Sequence, residues 1–157
     1  TQTFGVAGAI IEKDGKVLLV KEGGDKADSG KWNQPAGWID VGENPIEAAK
    51  REVKEETGFV FEPTGLIGIY SLHRKDMQDK LGATPHALKF IYRGKVLSGE
   101  LKHDGSEIME LRWFSQEEIE AMGIDELRDL DIKKEVADYF IGKSYPLEII
   151  RHTVSEK

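Results

Sequence analysis

The chain has 157 residues, 39% of them hydrophobic, enough to bury a core without disulfide or metal staples, and it reads as a single domain over 1–157. Its 22 lysines and arginines are outnumbered by 29 aspartates and glutamates, a net charge of −7, which argues against a surface built to neutralise a nucleic acid polymer. The absence of cysteine excludes a disulfide framework, a thiolate nucleophile and a Cys-based zinc site, and no apolar stretch approaches a membrane span; a cytoplasmic protein that meets no membrane is expected.

In chain order, the β-branched runs at 4–11 and 17–20 flank Glu12-Lys13-Asp14-Gly15, whose Asp-Gly pair suits a tight turn. A hairpin of two core strands is expected there, with Lys21 at its end within reach of a phosphate. Residues 23–30 collect Gly, Asp, Ser and Lys, a loop composition. Pro45–Thr57 is the clearest helix: proline in the first turn, Ile46, Ala49 and Val53 at spacings of three and four, and Gly58 as a left-handed stop. Further strands are expected at 66–72, 87–96 and 108–114. Ser115 opens a short helix with Ser-x-x-Glu capping chemistry, and 127–140 reads as a last helix. The order points to a mixed α/β sandwich.

The helix has a second, acidic face. Glu52, Glu55 and Glu56 are three and four residues apart, so their carboxylates project from one side and repel unless a cation lies between them. A hard divalent cation such as Mg²⁺ takes oxygen ligands and also binds substrate phosphate. Arg51 has a planar fork suited to holding carboxylates, with Glu43 and Glu47 nearest in sequence. Taken alone, the same charges also describe a solvated, salt-bridged helix face.

The complete string decides between these readings. From Gly37 through Glu43, Arg51, Glu52, Val53, Glu55, Glu56 and Gly58 to Phe59, the chain follows the pattern Gly, five residues, Glu, seven residues, Arg-Glu-apolar-x-Glu-Glu-x-Gly-apolar. A chance match is on the order of 10⁻⁷ from residue frequencies. The string resembles the signature of the Nudix hydrolase (MutT-like) superfamily. The resemblance implies an α/β/α sandwich with a mixed sheet and a loop-helix-loop catalytic motif, in which water attacks a phosphoanhydride. It implies Mg²⁺, with Mn²⁺ as a substitute, held by Glu52, Glu55 and Glu56 and by the backbone carbonyl of Ala36. Glu55 or Glu56 would position or deprotonate the water, and Arg51 would serve the catalytic face. Gly37, Glu43 and Gly58 would be structural.

Trp32-Asn33-Gln34-Pro35-Ala36-Gly37, taken with Tyr145-Pro146-Leu147-Glu148-Ile149-Ile150, resembles a bacterial subgroup of nucleoside di- and triphosphatases with side activity on thiamine-type diphosphates. Trp32 is placed to stack on a base, and Asn33 and Gln34 to hydrogen-bond to its edge or to a ribose. Relatives often carry one more acidic group near 105–110, where Glu107 is favoured over Glu110; His73 and His86 are candidate proton shuttles. The expected substrate is a nucleoside di- or triphosphate or related organic diphosphate. ADP-ribose or another nucleoside diphosphate sugar is the alternative, and a non-catalytic nucleotide sensor is a third reading. A monomer or a homodimer would serve equally.

Overall fold

In the computed structural model, which describes residues 2–23, 29–78, 82, 84–102 and 107–156, the described residues form eight strands and three α-helices. The strands are β1 (Thr3–Ala9), β2 (Glu12–Lys13), β3 (Lys16–Glu22), β4 (Trp32–Asn33), β5 (Ala36–Trp38), β6 (Val60–His73), β7 (His86–Ser98) and β8 (Ile108–Ser115). The helices are α1 (Pro45–Thr57), α2 (Gln116–Ala121) and α3 (Ile132–Phe140). One sheet runs β5-β1-β7-β6, with β1 and β7 parallel. In the other, β3 pairs with β8 along its length and with β2 and β4 on successive stretches.

The Asp14-Gly15 turn forms, with positive φ at both residues (52° and 80°), but its arms are β2 and β3. The run expected as one strand at 4–11 instead divides. β1 ends at Ala9, and the buried Ile10 and Ile11 carry the chain from the first sheet to the second. Each half thereby finds a separate set of backbone partners. β3 is buried on both faces: Val17 and Leu19 enter one core, Leu18 the other. Such a strand reads as an unbroken apolar run.

The two cores make the layers. Ala48, Ala49 and Val53 of α1 pack on Ala7, Ala9, Phe61, Leu66 and Tyr92, while Ile119 of α2 and Ile132 and Val136 of α3 cover Ile67, Ile91 and Phe114. This is the expected α/β/α arrangement. The Nterminal end of α1 is closed by Asn44, whose side chain accepts from the Ile46 amide (2.9 Å), and its C-terminal end by Gly58 at φ 84°. A Cβ at Gly58 would also meet the Glu100 carbonyl. Gly58→Ala should therefore cost about 1–2 kcal/mol or more, lowering the melting temperature by roughly 2–8 °C. An unchanged melt would mean that the turn relaxes without strain.

The last helix is shorter than expected, beginning at Ile132 rather than near 127. Residues 126–128 run instead beside β4: the Trp32 amide donates to the Glu126 carbonyl (2.8 Å) and the Arg128 amide to the Trp32 carbonyl (2.9 Å). Pairing with β4 satisfies backbone groups there that a helix would have satisfied internally. It also brings Arg128 and Asp129 to the site. Beyond α3, the C-terminal segment pairs Tyr145 with Leu66, tucks Leu147 and Ile150 against the α1 core, and places His152 Nε2 3.1 Å from the Gly42 carbonyl. None of the helices among the described residues is long and apolar enough to cross a membrane.

Candidate active site

With the apolar face of α1 buried, its polar face turns toward β5 and the loop that follows. Arg51 ties these together. Its Nε donates to Glu43 Oε2 (2.8 Å) and its Nη2 to Glu43 Oε1 (2.9 Å) and the Trp38 carbonyl (3.0 Å); Nη1 reaches Glu52 Oε1 (2.8 Å) and Glu55 Oε2 (3.3 Å). These bonds hold the Glu43 carboxyl below the usual carboxylate range. Glu47, the other partner expected from sequence, pairs with Lys50 instead (3.5 Å), while the Arg51 guanidinium is turned to Glu43, Glu52 and the Trp38 carbonyl.

Glu52 and Glu56 point inward. A Cβ at Gly37 would collide with the Glu52 carboxyl, so the close approach of this side chain to β5 requires glycine there. Burial pushes the Glu52 carboxyl above its ordinary range although Arg51 opposes the shift. One Glu56 oxygen accepts from the Ala36 amide (3.0 Å). Its carboxyl is pushed well up, chiefly by burial and further by the negative charges of Glu22 and Glu52. Glu22, buried at the end of β3, pairs with Arg128 (3.3 Å).

These groups face a cavity of about 670 Å³. Strand register accounts for its floor. Val6 is paired with Trp38 on one side and Lys89 on the other, and Phe4 with Ala87, which in turn pairs with Leu72. Residues paired or two apart share a sheet face, so Phe4, Val6, Trp38, Leu72, Ala87 and Lys89 all line the cavity, while Ala7 and Ala9 on the opposite face pack under α1. Glu22, Glu52, Glu56, Glu107 and Asp129 make the acidic part of the wall, and Asn33, Gln34, Ala36, Arg74 and Arg128 contribute to the rest.

The NUDIX domain profile matches residues 1–136. The chain belongs to the Nudix family. It is 35% identical over 145 residues to the phosphatase NudJ of Escherichia coli, covering 90% of this chain and 86% of that protein. It is 31% identical over 135 residues to an ADP-ribose pyrophosphatase of Methanocaldococcus jannaschii, covering 86% and 72%. A solved Nudix hydrolase from Nitrosomonas europaea superposes with a TM-score of 0.83 at 36% identity, covering 97% of this chain and 98% of that one. As a Nudix hydrolase the protein hydrolyses acid anhydrides in phosphorus-containing compounds, and enzymes of this family generally depend on a divalent metal.

The residues of the Nudix helix fit such a cation. Glu22, Glu52 and Glu56 gather negative charge in a largely dehydrated pocket, and the raised pKa of Glu56 records the cost of ionising it there. A hard cation with oxygen ligands would reverse that cost. As they stand, no three carboxylates among the described residues converge on one point. Arg51 Nη1 contacts both Glu52 and Glu55, and Glu55 stands outside the cavity wall with 58% of its side chain exposed.

Other candidates from the sequence separate into groups. Asn33, Gln34, Ala36, Gly37 and Glu107 line the cavity. Trp32 does not: it is 7% exposed, its ring edge-on to Phe114 at 4.9 Å, and it belongs to the core. Lys21 lies over that ring, 5.5 Å from its centroid, and is likewise outside the wall. Glu110 bonds to Arg112 (2.9 Å), and His73 and His86 stack on each other at 5.5 Å, all away from the cavity. Residues 24–28 of the Gly-rich loop and 103–106 beside Glu107 lie outside the described residues.

Several lining residues carried no sequence signal. Lys89 sits fully buried in β7 with Nζ 3.2 Å from Asp129, 2.9 Å from Asp131 and 2.8 Å from Glu135. Burial alone would drive off its proton, but Glu135, Asp129 and Asp131 overcome this and raise its pKa. Arg74 joins the set through Asp129 (2.9 Å). The partners are forty or more residues away in sequence, so only packing assembles them.

Proposed function

We propose that this Nudix hydrolase uses Mg²⁺, for which Mn²⁺ can substitute, to cleave a phosphoanhydride in a nucleoside di- or triphosphate or a thiamine-type diphosphate. The observation that carries this reading is Glu56, a carboxylate desolvated beside two others in a cavity large enough for a small organic phosphate. Glu52 and Glu56 would hold the ion, joined by Glu55 once released from Arg51, and by the Ala36 carbonyl. When bound, the ion would neutralise phosphate charge, polarise phosphoryl oxygens and lower the pKa of water.

The protein's own groups do the rest. A Glu56 or Glu55 oxygen takes the proton from the attacking water as the new P–O bond forms and the bridging P–O bond breaks, with the electron pair leaving on the departing phosphate. Arg51 orients Glu52 and, through Glu43, the loop from β5, while Glu55 must leave Arg51 before it can join them. Glu107 stands in the wall as a further acid or base, and Asn33 and Gln34 meet the organic part of the substrate. Residues 1–157 act as one domain, as a monomer or homodimer in the cytoplasm; the cysteine-free composition suits a reducing compartment.

The 31% identical relative named ADP-ribose pyrophosphatase supports a second reading, cleavage of a nucleoside diphosphate sugar. Product analysis with and without Mg²⁺ separates the two. Release of orthophosphate or pyrophosphate with a nucleotide supports the first, and nucleoside monophosphate with a sugar phosphate supports the second. Calorimetric Mg²⁺ binding without turnover on any of these substrates would overturn both in favour of a sensor.

A further inference from the structure

The cavity floor holds an aromatic surface that the chemistry above leaves unused. Trp38 follows Gly37 directly, yet its side chain is 64% exposed. Its backbone is doubly held, paired with Val6 in β1 and accepting at its carbonyl from Arg51 Nη2. Phe4, two residues from Val6 on the same sheet face, packs behind the ring at 4.9 Å with the planes inclined by 45°. Both rings line the cavity that contains Glu52 and Glu56.

A large aromatic group that is open on one side, braced on the other and fixed at both backbone positions loses little freedom when a flat molecule lies on it. The same cavity wall contains Asn33 and Gln34, both almost wholly buried. Asn33 Oδ1 and both amide atoms of Gln34 have no hydrogen-bond partner among the described residues. Unused polar capacity beside an aromatic floor suits a ring that is flat and edged with donors and acceptors. An acyclic or sugar-only substrate would leave the Trp38 face uncovered.

We propose that Trp38, braced by Phe4, is the stacking platform for a planar nitrogen heterocycle in the substrate, and that it sets the preference for heterocycle-bearing phosphates over those carrying only sugar. This inference rests on the reading of the site as one for small organic diphosphates, and it moves base recognition from Trp32 to Trp38.

The test is binding rather than turnover. Wild type, Trp38→Leu and Trp38→Phe are titrated with AMP, CMP, GMP and thiamine monophosphate, each compared with ribose 5-phosphate, in the presence of Mg²⁺. The ring is mostly exposed, so both variants should fold, which a thermal melt checks. Wild type should bind at least one heterocyclic phosphate about tenfold or more tightly than ribose 5-phosphate. Trp38→Leu should collapse that ratio and Trp38→Phe restore most of it. Indole fluorescence of wild type should also be quenched by the preferred ligand more than that of Trp38→Phe, which retains only Trp32 and Trp113. An absent preference in wild type, a ratio unchanged in Trp38→Leu, or equal loss in both variants would overturn the proposal. Preference here, with no Mg²⁺-dependent hydrolysis of the corresponding nucleoside di- and triphosphates, thiamine diphosphate or ADP-ribose, would sink the enzymatic reading while leaving this one intact.

Discussion

Glu56→Gln should lower kcat by roughly 10²–10⁴-fold while leaving the fold intact, because it removes one charge from the ion site and one proton acceptor for the attacking water. Glutamine can still accept from the Ala36 amide through Oε1, so the contact with β5 survives. The same substitution should change stability in the opposite sense. The Glu56 carboxyl has a raised pKa in the folded protein, so between its unfolded and folded values the native state holds more protons than the unfolded one. Stability contributed by this group is therefore present at low pH and falls as pH rises from about 4.5 upward. In chelator, the wild-type melting temperature should decline over that range more steeply than that of Glu56→Gln, and Mg²⁺ should restore it. A variant retaining more than a tenth of wild-type turnover would remove Glu56 from the chemistry. Parallel pH profiles in chelator would show that its ionisation costs the fold nothing.

Lys89→Met should destabilise the protein by about 3–5 kcal/mol, the usual result of stripping the cation from a buried ion set. Methionine fills most of the space, so the loss measures charge more than volume. Burial opposes the charge on Asp129, and Lys89 is the main group that overcomes it and holds the carboxyl below its ordinary range, so the variant would leave Asp129 and Asp131 with Arg74 as their nearest cation, while the buried Glu135, pushed up to about 8 even beside Lys89, would stay protonated. The sign with pH follows from Asp129, whose depressed pKa depends on Lys89: the penalty should shrink as acid protonates it in the variant. Denaturant unfolding of both proteins near pH 5 and pH 7.5 checks this. A penalty under 1 kcal/mol at the higher pH would mean that Arg74 alone balances the cluster. The ion set also fixes Asp129 in the cavity wall, so residual folded variant should show a weakened substrate interaction rather than a changed metal requirement.

The helix and its acidic face were legible in the sequence because they are local. Pro45 and Gly58 set the bounds of α1 through first-turn geometry and left-handed backbone, and the three-and-four spacing divides Ala49 and Val53 from Glu52, Glu55 and Glu56 without any knowledge of what packs against them. The string from Gly37 to Phe59 likewise carries its own order. The capping box at Ser115 and Glu118 forms for the same reason. Tertiary structure alone decided what depends on strands far apart in the chain. It divided the 4–11 run between two sheets, turned residues 126–128 into a partner for β4, and gathered Lys89, Asp129, Asp131 and Glu135. It also gave two nearby tryptophans opposite environments, one buried and one exposed. Trp32 and Trp38 both flank the catalytic loop, but pairing of Trp32 with β3 and residues 126–128 turns one ring into the core. Pairing of Trp38 with Val6 places the other on the cavity floor, because register fixes which sheet face a side chain occupies and residue type does not.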